Sequence, residues 1–119
     1  MSPKALLIFL GTSPYGFENA DTALRLAEAA LKKGHRVRLF ASADGVHIAQ
    51  VGQRPSGIPD PLAGLARLQG EGLAVELCGS CLRYRGLGRD LLAEGAEPSS
   101  LKGLFTAVVD SDTLLSLCG

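Results

Sequence analysis

The strongest constraint on the fold of this chain is a continuous apolar run, Ala5–Leu10, which Gly11 ends. A strand with one face in water alternates apolar and polar residues, whereas a strand covered on both faces of a parallel sheet is apolar along its whole length. The run is also far shorter than the ~18 residues of a membrane-spanning helix. It therefore predicts the first, central strand of an α/β sheet.

Helical and strand patterns alternate along the rest of the chain. Apolar spacing and helix-ending glycines predict helices over residues 20–31, 46–49, 61–68, 81–92 and 101–108. Further strands are predicted over residues 37–40, 73–78 and 113–118. The glycines and prolines of residues 52–64 predict a loop, and Pro61 near its end suits the first turn of the helix over 61–68. Between Gly86 and the last helix we expect little room for another strand.

Alternating strands and helices specify a three-layer α/β sandwich, since parallel neighbouring strands need crossover connections that cover both faces of the sheet. The predicted fold is a mostly parallel sheet of about five strands in a single domain, residues 1–119. In such sheets the functional crevice lies beyond the carboxyl ends of the strands. The loop 11–16, the residues around Asp44, and Cys78 all follow predicted strands, so we expect them to converge on one site.

Two cysteines lie where the third predicted strand meets the next helix, in the segment Cys78-Gly79-Ser80-Cys81. A helix start collects unpaired backbone N–H groups and the positive end of the helix dipole, which stabilise a thiolate and lower the pKa of its cysteine. Arg83 and Arg85 follow closely and add positive charge. We therefore expect Cys78 to be the reactive thiol, the alternative being a buried core cysteine.

The other two thiols permit more than one interpretation. Cys81 follows Cys78 by about one helical turn, so it is close enough to be an accessory, resolving thiol, although its side chain could also face the core. Cys118 lies near the chain end and is interpreted as a core or edge thiol. Cys78 and Cys81 could also act together as a C-x-x-C dithiol couple.

The loop after the first strand, Gly11–Gly16, resembles a phosphate cradle in position and small-residue content. It lacks the ending of a Walker loop and the Gly-x-Gly-x-x-Gly fingerprint, so we expect no nucleotide cofactor. A structural zinc site usually shows two close ligand pairs, and this chain offers one, so no metal is expected. We expect the crevice of the reactive thiol to be lined by three residues of the loop and two of the cysteine segment: Pro14, Tyr15, Gly16, Gly79 and Ser80.

The amino-acid composition argues against some classes of protein, namely nucleic-acid binders and disulfide-stabilised secreted proteins. Twelve basic residues balance twelve acidic ones and tryptophan is absent, which argues against direct nucleic-acid binding. The first apolar stretch is too short and too weakly flanked for a secretory signal. Three cysteines, an odd number, without an export signal predict reduced thiols in the cytoplasm, and sulfur or redox chemistry rather than a disulfide framework.

Several segments, taken in order, make the chain similar to the DsrE/DsrF-like sulfur-relay family, in particular to its TusD-like members. They are the first strand with the loop Gly11–Gly16, the helix ending Lys33-Gly34-His35-Arg36-Val37, the positions Phe40 and Asp44-Gly45-Val46, the cysteine segment ending Leu82-Arg83-Tyr84-Arg85-Gly86, and Asp112-Thr113-Leu114-Leu115. The resemblance spans nearly the whole chain.

The resemblance implies a DsrE-like fold and a persulfide carried on Cys78. It also implies partner proteins that donate and accept sulfur, no cofactor, and trimeric or hexameric homo-oligomers or a complex with related subunits. The low charged fraction, 20%, leaves apolar surface that neighbouring copies could cover. Residues and resemblance together predict sulfur transfer. Two alternatives stay open: a thiol–disulfide oxidoreductase using Cys78 and Cys81, and a non-catalytic assembly subunit.

Overall fold

In the computed structural model, which describes residues 2–118, five parallel strands form a sheet with helices packed on both faces. The strands are β1 (Ala5–Leu10), β2 (Arg36–Ala41), β3 (Ala74–Cys78), β4 (Ala96–Ser99) and β5 (Thr113–Leu117). The helices are α1 (Asn19–Lys32), α2 (Pro61–Gly70), α3 (Gly79–Tyr84) and α4 (Leu101–Val109), with 3₁₀ segments at Ala43–Ala49 and Arg89–Leu91. None of these described helices is long and apolar enough to cross a membrane.

The strands are ordered β4-β3-β2-β1-β5 across the sheet. The first predicted strand, β1, therefore has a neighbour on each side, as its unbroken apolar sequence predicts, but the middle strand of the five is β2 rather than β1. Every strand pair is parallel, so the predicted α/β fold with a parallel sheet is confirmed. Because the strands share one direction, their carboxyl ends lie at one edge of the sheet, where crevices form in folds of this kind.

One face of the sheet carries the larger apolar core. Ile8 and Leu10 of β1 point to this face, since side chains of a strand alternate between its two sides. The α1 helix packs here through three buried alanines, Ala20, Ala23 and Ala27. Their small size lets the helix approach the strands closely. The α2 and α3 helices and the first 3₁₀ segment cover the rest of this face.

The other face is covered by α4, alone among the described helices. Its core is small and joins Leu7 and Phe40 of the strands to Ala107 of α4. The rings of Phe9 and Phe40 stack 6.2 Å apart. The outward side of α4 is apolar as well, with exposed fractions of 77, 70 and 72% for Leu101, Phe105 and Val109. The helix thus presents apolar residues both to the sheet and to its surroundings.

The helix after the cysteines is shorter than the sequence predicts. It ends at Tyr84 rather than at Leu91 or Leu92. Gly86 adopts a φ of 67°, which leads the chain out of the helix, and the N–H of Leu87 donates back to the carbonyl of Leu82. The prediction of one long helix was therefore wrong, because the glycine acts as a helix end.

A strand, β4, lies where the sequence indicated little room for one, so that expectation was wrong too. Gly95, with a φ of 84°, turns the chain towards it, and it pairs with β3 from Val75↔Ala96 to Cys78↔Ser99. Its sequence has no apolar pattern and contains Pro98. A proline has no N–H to donate, which an edge strand with a single neighbour tolerates.

Candidate functional site

The carboxyl end of β3 positions the first thiol. Val75 and Leu77 are buried and hold the strand in the core, and Cys78 ends the strand as the N-cap of α3. The Cys78 Sγ accepts a hydrogen bond from the N–H of Cys81 at 3.4 Å. Cys78 is half-buried and packs against the apolar cores of both faces. Its sulfur is therefore held in place without being closed off completely.

Gly79 joins β3 to α3 at a tight point. A Cβ atom there would lie 2.9 Å from the carbonyl oxygen of Ser99 in β4, closer than real Cβ contacts come. Glycine at this position therefore lets α3 begin directly beside β4. Ser80 follows in the first turn, and its Oγ accepts a hydrogen bond from Arg83 at 3.1 Å. Both residues adjoin Cys78, and their part in lining a crevice stays a prediction.

The second thiol contacts the two residues that follow β2, Ser42 and Ala43, which we call the sulfur-binding turn. The Ala43 N–H donates to the Sγ of Cys81 with a nitrogen–sulfur distance of 3.2 Å, and the Ser42 Oγ lies 3.5 Å from the same sulfur. Ala43 has a φ of 50°, in the left-handed region that residues with a Cβ seldom adopt. Such strain persists only where the surroundings hold it. Here it occurs at the residue whose N–H meets the sulfur.

Arg85 fastens the end of α3 to the start of the first 3₁₀ segment. Its Nε and Nη2 donate to Oδ1 of Asp44 at 2.9 and 2.8 Å. Its Nη1 donates to the carbonyl oxygen of Cys81 at 3.1 Å. The Arg85 side chain is only 25% exposed, so these charge-assisted bonds are partly shielded from water. They hold Cys81 against the sulfur-binding turn and place a positive charge near its sulfur.

The surroundings of Cys81 favour its ionised form. Burial by itself raises the pKa of this thiol. Hydrogen bonds from the Cys78 thiol and from the sulfur-binding turn outweigh burial, and the charge of Arg85 acts in the same direction, so the pKa of Cys81 is lowered. A lowered pKa increases the fraction of thiolate, the nucleophilic form, at neutral pH. That Cys78 is the most reactive thiol stays a prediction, and Cys81 joins it as a candidate nucleophile.

The loop after β1 contains the other predicted crevice residues. The Tyr15 hydroxyl donates to Oε1 of Gln53 at 2.7 Å, and a Cβ on Gly16 would lie 3.3 Å from the Oγ of Ser13. These contacts tie the loop to the segment after the first 3₁₀ segment and to itself. That Pro14, Tyr15 and Gly16 line the crevice of the reactive thiol therefore stays a prediction.

Cys118 follows β5 at the same edge of the sheet, with β1 and β2 between it and β3. It is exposed. Its Sγ lies 3.1 Å from the Oγ of Ser116 and packs against Gly11. Cys118 is therefore an edge thiol that stands apart from the other two cysteines.

The two histidines make ordinary hydrogen bonds. Nδ1 of His47 lies 2.9 Å from Oε1 of Gln50, and Nδ1 of His35 accepts the backbone N–H of Lys4 at 3.0 Å. Within residues 2–118, no three side chains among histidine, cysteine, aspartate and glutamate come together as metal ligands would.

Sequence reasoning expected the residues around Asp44 to lie near Cys78, but it did not identify Ser42 and Ala43 as contacts of the Cys81 sulfur. One signal was available, because these residues follow a strand and strand ends of a parallel sheet meet at one edge. Ser42 and Ala43 are 39 and 38 residues from Cys81 in the chain. Their contact with the sulfur depends on the pairing of β2 with β3, which the local sequence does not specify.

Comparison with known proteins identifies relatives of this chain. The uncharacterized protein MK0008 of Methanopyrus kandleri is 36% identical over 110 residues, which cover 92% of this chain and 91% of that protein. The uncharacterized protein MJ0989 of Methanocaldococcus jannaschii is 36% identical over 109 residues, which cover 92% of this chain and 96% of that protein. The crystal structure of the ychN protein from E. coli matches with a TM-score of 0.90 and 28% identity, covering 96% of this chain and 99% of that one.

The same similarity holds at the level of a whole family. The sequence profile of the DsrE/DsrF-like family matches residues 4–117. That span includes all five strands of the sheet and the Cys78–Cys81 segment. The chain belongs to the DsrE/DsrF-like family.

Proposed function

We propose that this protein relays sulfur by carrying a sulfane sulfur as a persulfide on Cys78 and passing it to an acceptor thiol. The DsrE/DsrF-like family is generally related to sulfur relay. The observation that carries the proposal is the placement of Cys78, a half-buried thiol at the carboxyl edge of the sheet whose sulfur accepts the Cys81 N–H. A donor bond of this kind stabilises negative charge on the sulfur.

The relay consists of two exchange steps that balance without an oxidant. The Cys78 thiolate attacks the outer sulfur of a donor persulfide, R–S–SH, and displaces the donor thiolate, leaving Cys78–S–SH. An acceptor thiolate then attacks the same outer sulfur and displaces the Cys78 thiolate. The Cys81 N–H faces the sulfur that carries the charge before the first step and after the second.

The test is the mass of the intact protein after brief incubation with glutathione persulfide and immediate alkylation to trap persulfides. We expect the wild type to gain one sulfur atom and Cys78→Ser to gain none. Cys118→Ser is the matched control, since it removes an exposed thiol apart from the pair and should take up sulfur as the wild type does. If Cys78→Ser gains sulfur to the wild-type extent, the persulfide is not on Cys78 and the proposal is wrong.

A thiol–disulfide oxidoreductase is the second candidate, and the hydrogen bond from the Cys81 N–H to the Cys78 Sγ favours it, because it holds the two cysteines side by side. Under this alternative Cys81→Ser abolishes turnover in a disulfide-reduction assay and traps a mixed disulfide at Cys78. Under sulfur relay the same variant still takes up sulfur at Cys78. A protein that neither takes up sulfur nor reduces disulfides would be the third alternative, a non-catalytic assembly subunit.

We also propose that copies of this chain associate through the outward side of α4. Leu101, Phe105 and Val109 follow one another at a spacing of four residues, so they form one apolar stripe on the helix. An interface between two identical copies places the same patch on both sides, and an apolar stripe can face itself in this way. Exposed apolar patches of this kind mark sites of protein association.

The remaining partners in this proposal are a protein that carries the donor persulfide and a protein that carries the acceptor thiol. All three cysteines are free. Free thiols suit a reducing compartment, so we place the protein in the cytoplasm.

A further inference from the structure

We infer that Cys81 discharges the site: its thiolate attacks the inner sulfur of the Cys78 persulfide and releases the carried sulfur as hydrosulfide. This inference rests on the proposed function, because it needs a persulfide on Cys78. It adds a second route by which sulfur leaves the protein, and it names sulfide as the product of that route.

The first observation behind the inference is the number of donors at the Cys81 sulfur. The Ala43 N–H donates to it at 3.2 Å from the end of a neighbouring strand. The Ser42 hydroxyl lies 3.5 Å from the same sulfur and donates to it when Cys81 is ionised, because a thiolate has no proton to give. A cysteine that only fills space in a core has no need of polar contacts, since it packs as a small apolar residue. Donors directed at a sulfur stabilise it as an anion and so as a nucleophile.

The second observation is how Cys81 is held. Arg85 bonds the Cys81 carbonyl oxygen and is itself fixed by Asp44. These bonds keep the backbone of Cys81 next to the sulfur-binding turn, so the sulfur and its donors form one arrangement. The lowered pKa of Cys81 agrees with this geometry.

The third observation is the contact between the two cysteines. The Cys81 N–H donates to the Cys78 Sγ at 3.4 Å, so the Cys78 sulfur lies directly beside Cys81. In a persulfide on Cys78 the inner sulfur is that same Sγ, whereas the outer sulfur lies one bond farther out. The atom already beside Cys81 is therefore the inner sulfur.

The step balances as Cys78–S–SH plus Cys81–S⁻ giving the Cys78–S–S–Cys81 disulfide plus HS⁻. The bond between the two sulfurs of the persulfide breaks, its electron pair leaves with the hydrosulfide, and a new sulfur–sulfur bond forms between the cysteines. The carried sulfur is reduced by two electrons that the two cysteines supply. A cellular dithiol then reduces the disulfide and restores both thiols.

The experiment compares loaded wild type with loaded Cys81→Ser. Each protein is incubated with glutathione persulfide, desalted, and followed over time for free sulfide and for intact mass. We expect the wild type to release one sulfide for each disulfide formed. We expect Cys81→Ser to keep its added sulfur and to release sulfide at least about tenfold more slowly.

A second pair of variants tests the donors without removing a cysteine. Ser42→Ala deletes one donor to the Cys81 sulfur and should slow sulfide release about tenfold, the effect of losing a hydrogen bond to a charged group. Ser111→Ala is the matched control, because it also removes one hydroxyl hydrogen bond, to the carbonyl oxygen of Ala107, but away from the two cysteines. It should release sulfide at the wild-type rate.

The outcomes separate the two proposals. If Cys81→Ser takes up sulfur and then releases sulfide as fast as the wild type, the inference about Cys81 is wrong while sulfur carriage on Cys78 stands. If the wild type and Cys81→Ser both fail to take up sulfur, the proposed function itself is wrong.

Discussion

A cysteine attacks as its thiolate, so the pKa of Cys81 determines the pH range in which this residue reacts. The variant Cys78→Ser with Cys118→Ser leaves Cys81 as the only thiol, and the serine at position 78 keeps a hydroxyl beside it. Because hydrogen bonds lower the pKa of Cys81, we expect its alkylation to reach half the maximal rate at a pH below the ~8.5 of free cysteine. The measurement is the rate of iodoacetamide labelling against pH.

Removing a donor should shift that pH dependence in a known direction. Ser42→Ala in the same background should move the midpoint of alkylation upwards, while Ser111→Ala, whose hydroxyl bonds the carbonyl oxygen of Ala107, should leave it in place. If the protein that still has Ser42 shows the alkylation midpoint of free cysteine, this account is contradicted.

Folding lowers the pKa of Cys81, so its thiolate adds stability at pH values above the pKa of the unfolded thiol. That contribution is lost as the pH falls through the lowered pKa.

The first 3₁₀ segment depends on a close approach to β1. A Cβ on Gly45 would overlap the carbonyl oxygen of Leu10, and the N–H of Ser42 donates to that same oxygen at 2.9 Å. Gly45→Ala must therefore displace the segment together with the sulfur-binding turn. We expect it to lower the free energy of unfolding by about 1–3 kcal/mol and to raise the alkylation midpoint of Cys81.

The matched control for this change is Gly70→Ala in α2. No atom lies within 4 Å of the position that its Cβ would take, and alanine favours a helix over glycine by up to about 1 kcal/mol. Urea unfolding should therefore show Gly70→Ala to be as stable as the wild type or more stable. Equal stability of both variants would mean that the segment moves away from β1 at no cost.

At the scale of the whole molecule, the apolar stripe formed by Leu101, Phe105 and Val109 on the outward side of α4 is exposed. This stripe is the basis for expecting a homo-oligomer. Light scattering at micromolar concentration should give a multiple of the 12.4 kDa of one chain. Phe105→Glu places a charge in the stripe and should weaken association about tenfold or more. Ile58→Glu is the matched control, since Ile58 is a similarly exposed apolar residue in the loop before α2.

A single outcome would contradict this expectation for the homo-oligomer. It is a wild-type mass of 12.4 kDa that does not change on concentration. A complex with related subunits would then be the remaining explanation of the stripe. If Phe105→Glu and Ile58→Glu both lose association, the added negative charge weakens association wherever it is placed, and the stripe is not shown to be the interface.

Patterns formed by residues close together in the sequence were sufficient to predict most helices and strands and the position of Cys78. The unbroken apolar run of β1 indicates burial on both faces, and the apolar periodicity of α1 indicates one packed side. Asp60 caps α2 through the N–H of Leu62, with Pro61 in the first turn, so this helix start could be recognised from the chain itself. Parallel strands then place Cys78 at the carboxyl edge of the sheet, as the structure shows. These inferences hold because each depends on residues within a few positions of one another.

What the tertiary structure alone decided depends on pairing between distant segments. β4 is a strand because β3 offers it an edge, although a sequence with Pro98 and no apolar alternation does not predict one. The periodicity of α4 shows that it is apolar, yet only packing shows that Ala107 faces the sheet while Phe105 does not. The donors at the Cys81 sulfur come from the end of a different strand. Hydrogen bonds and contacts of this kind depend on which strands lie side by side. The sequence near each residue does not specify that pairing, because it involves segments far apart in the chain.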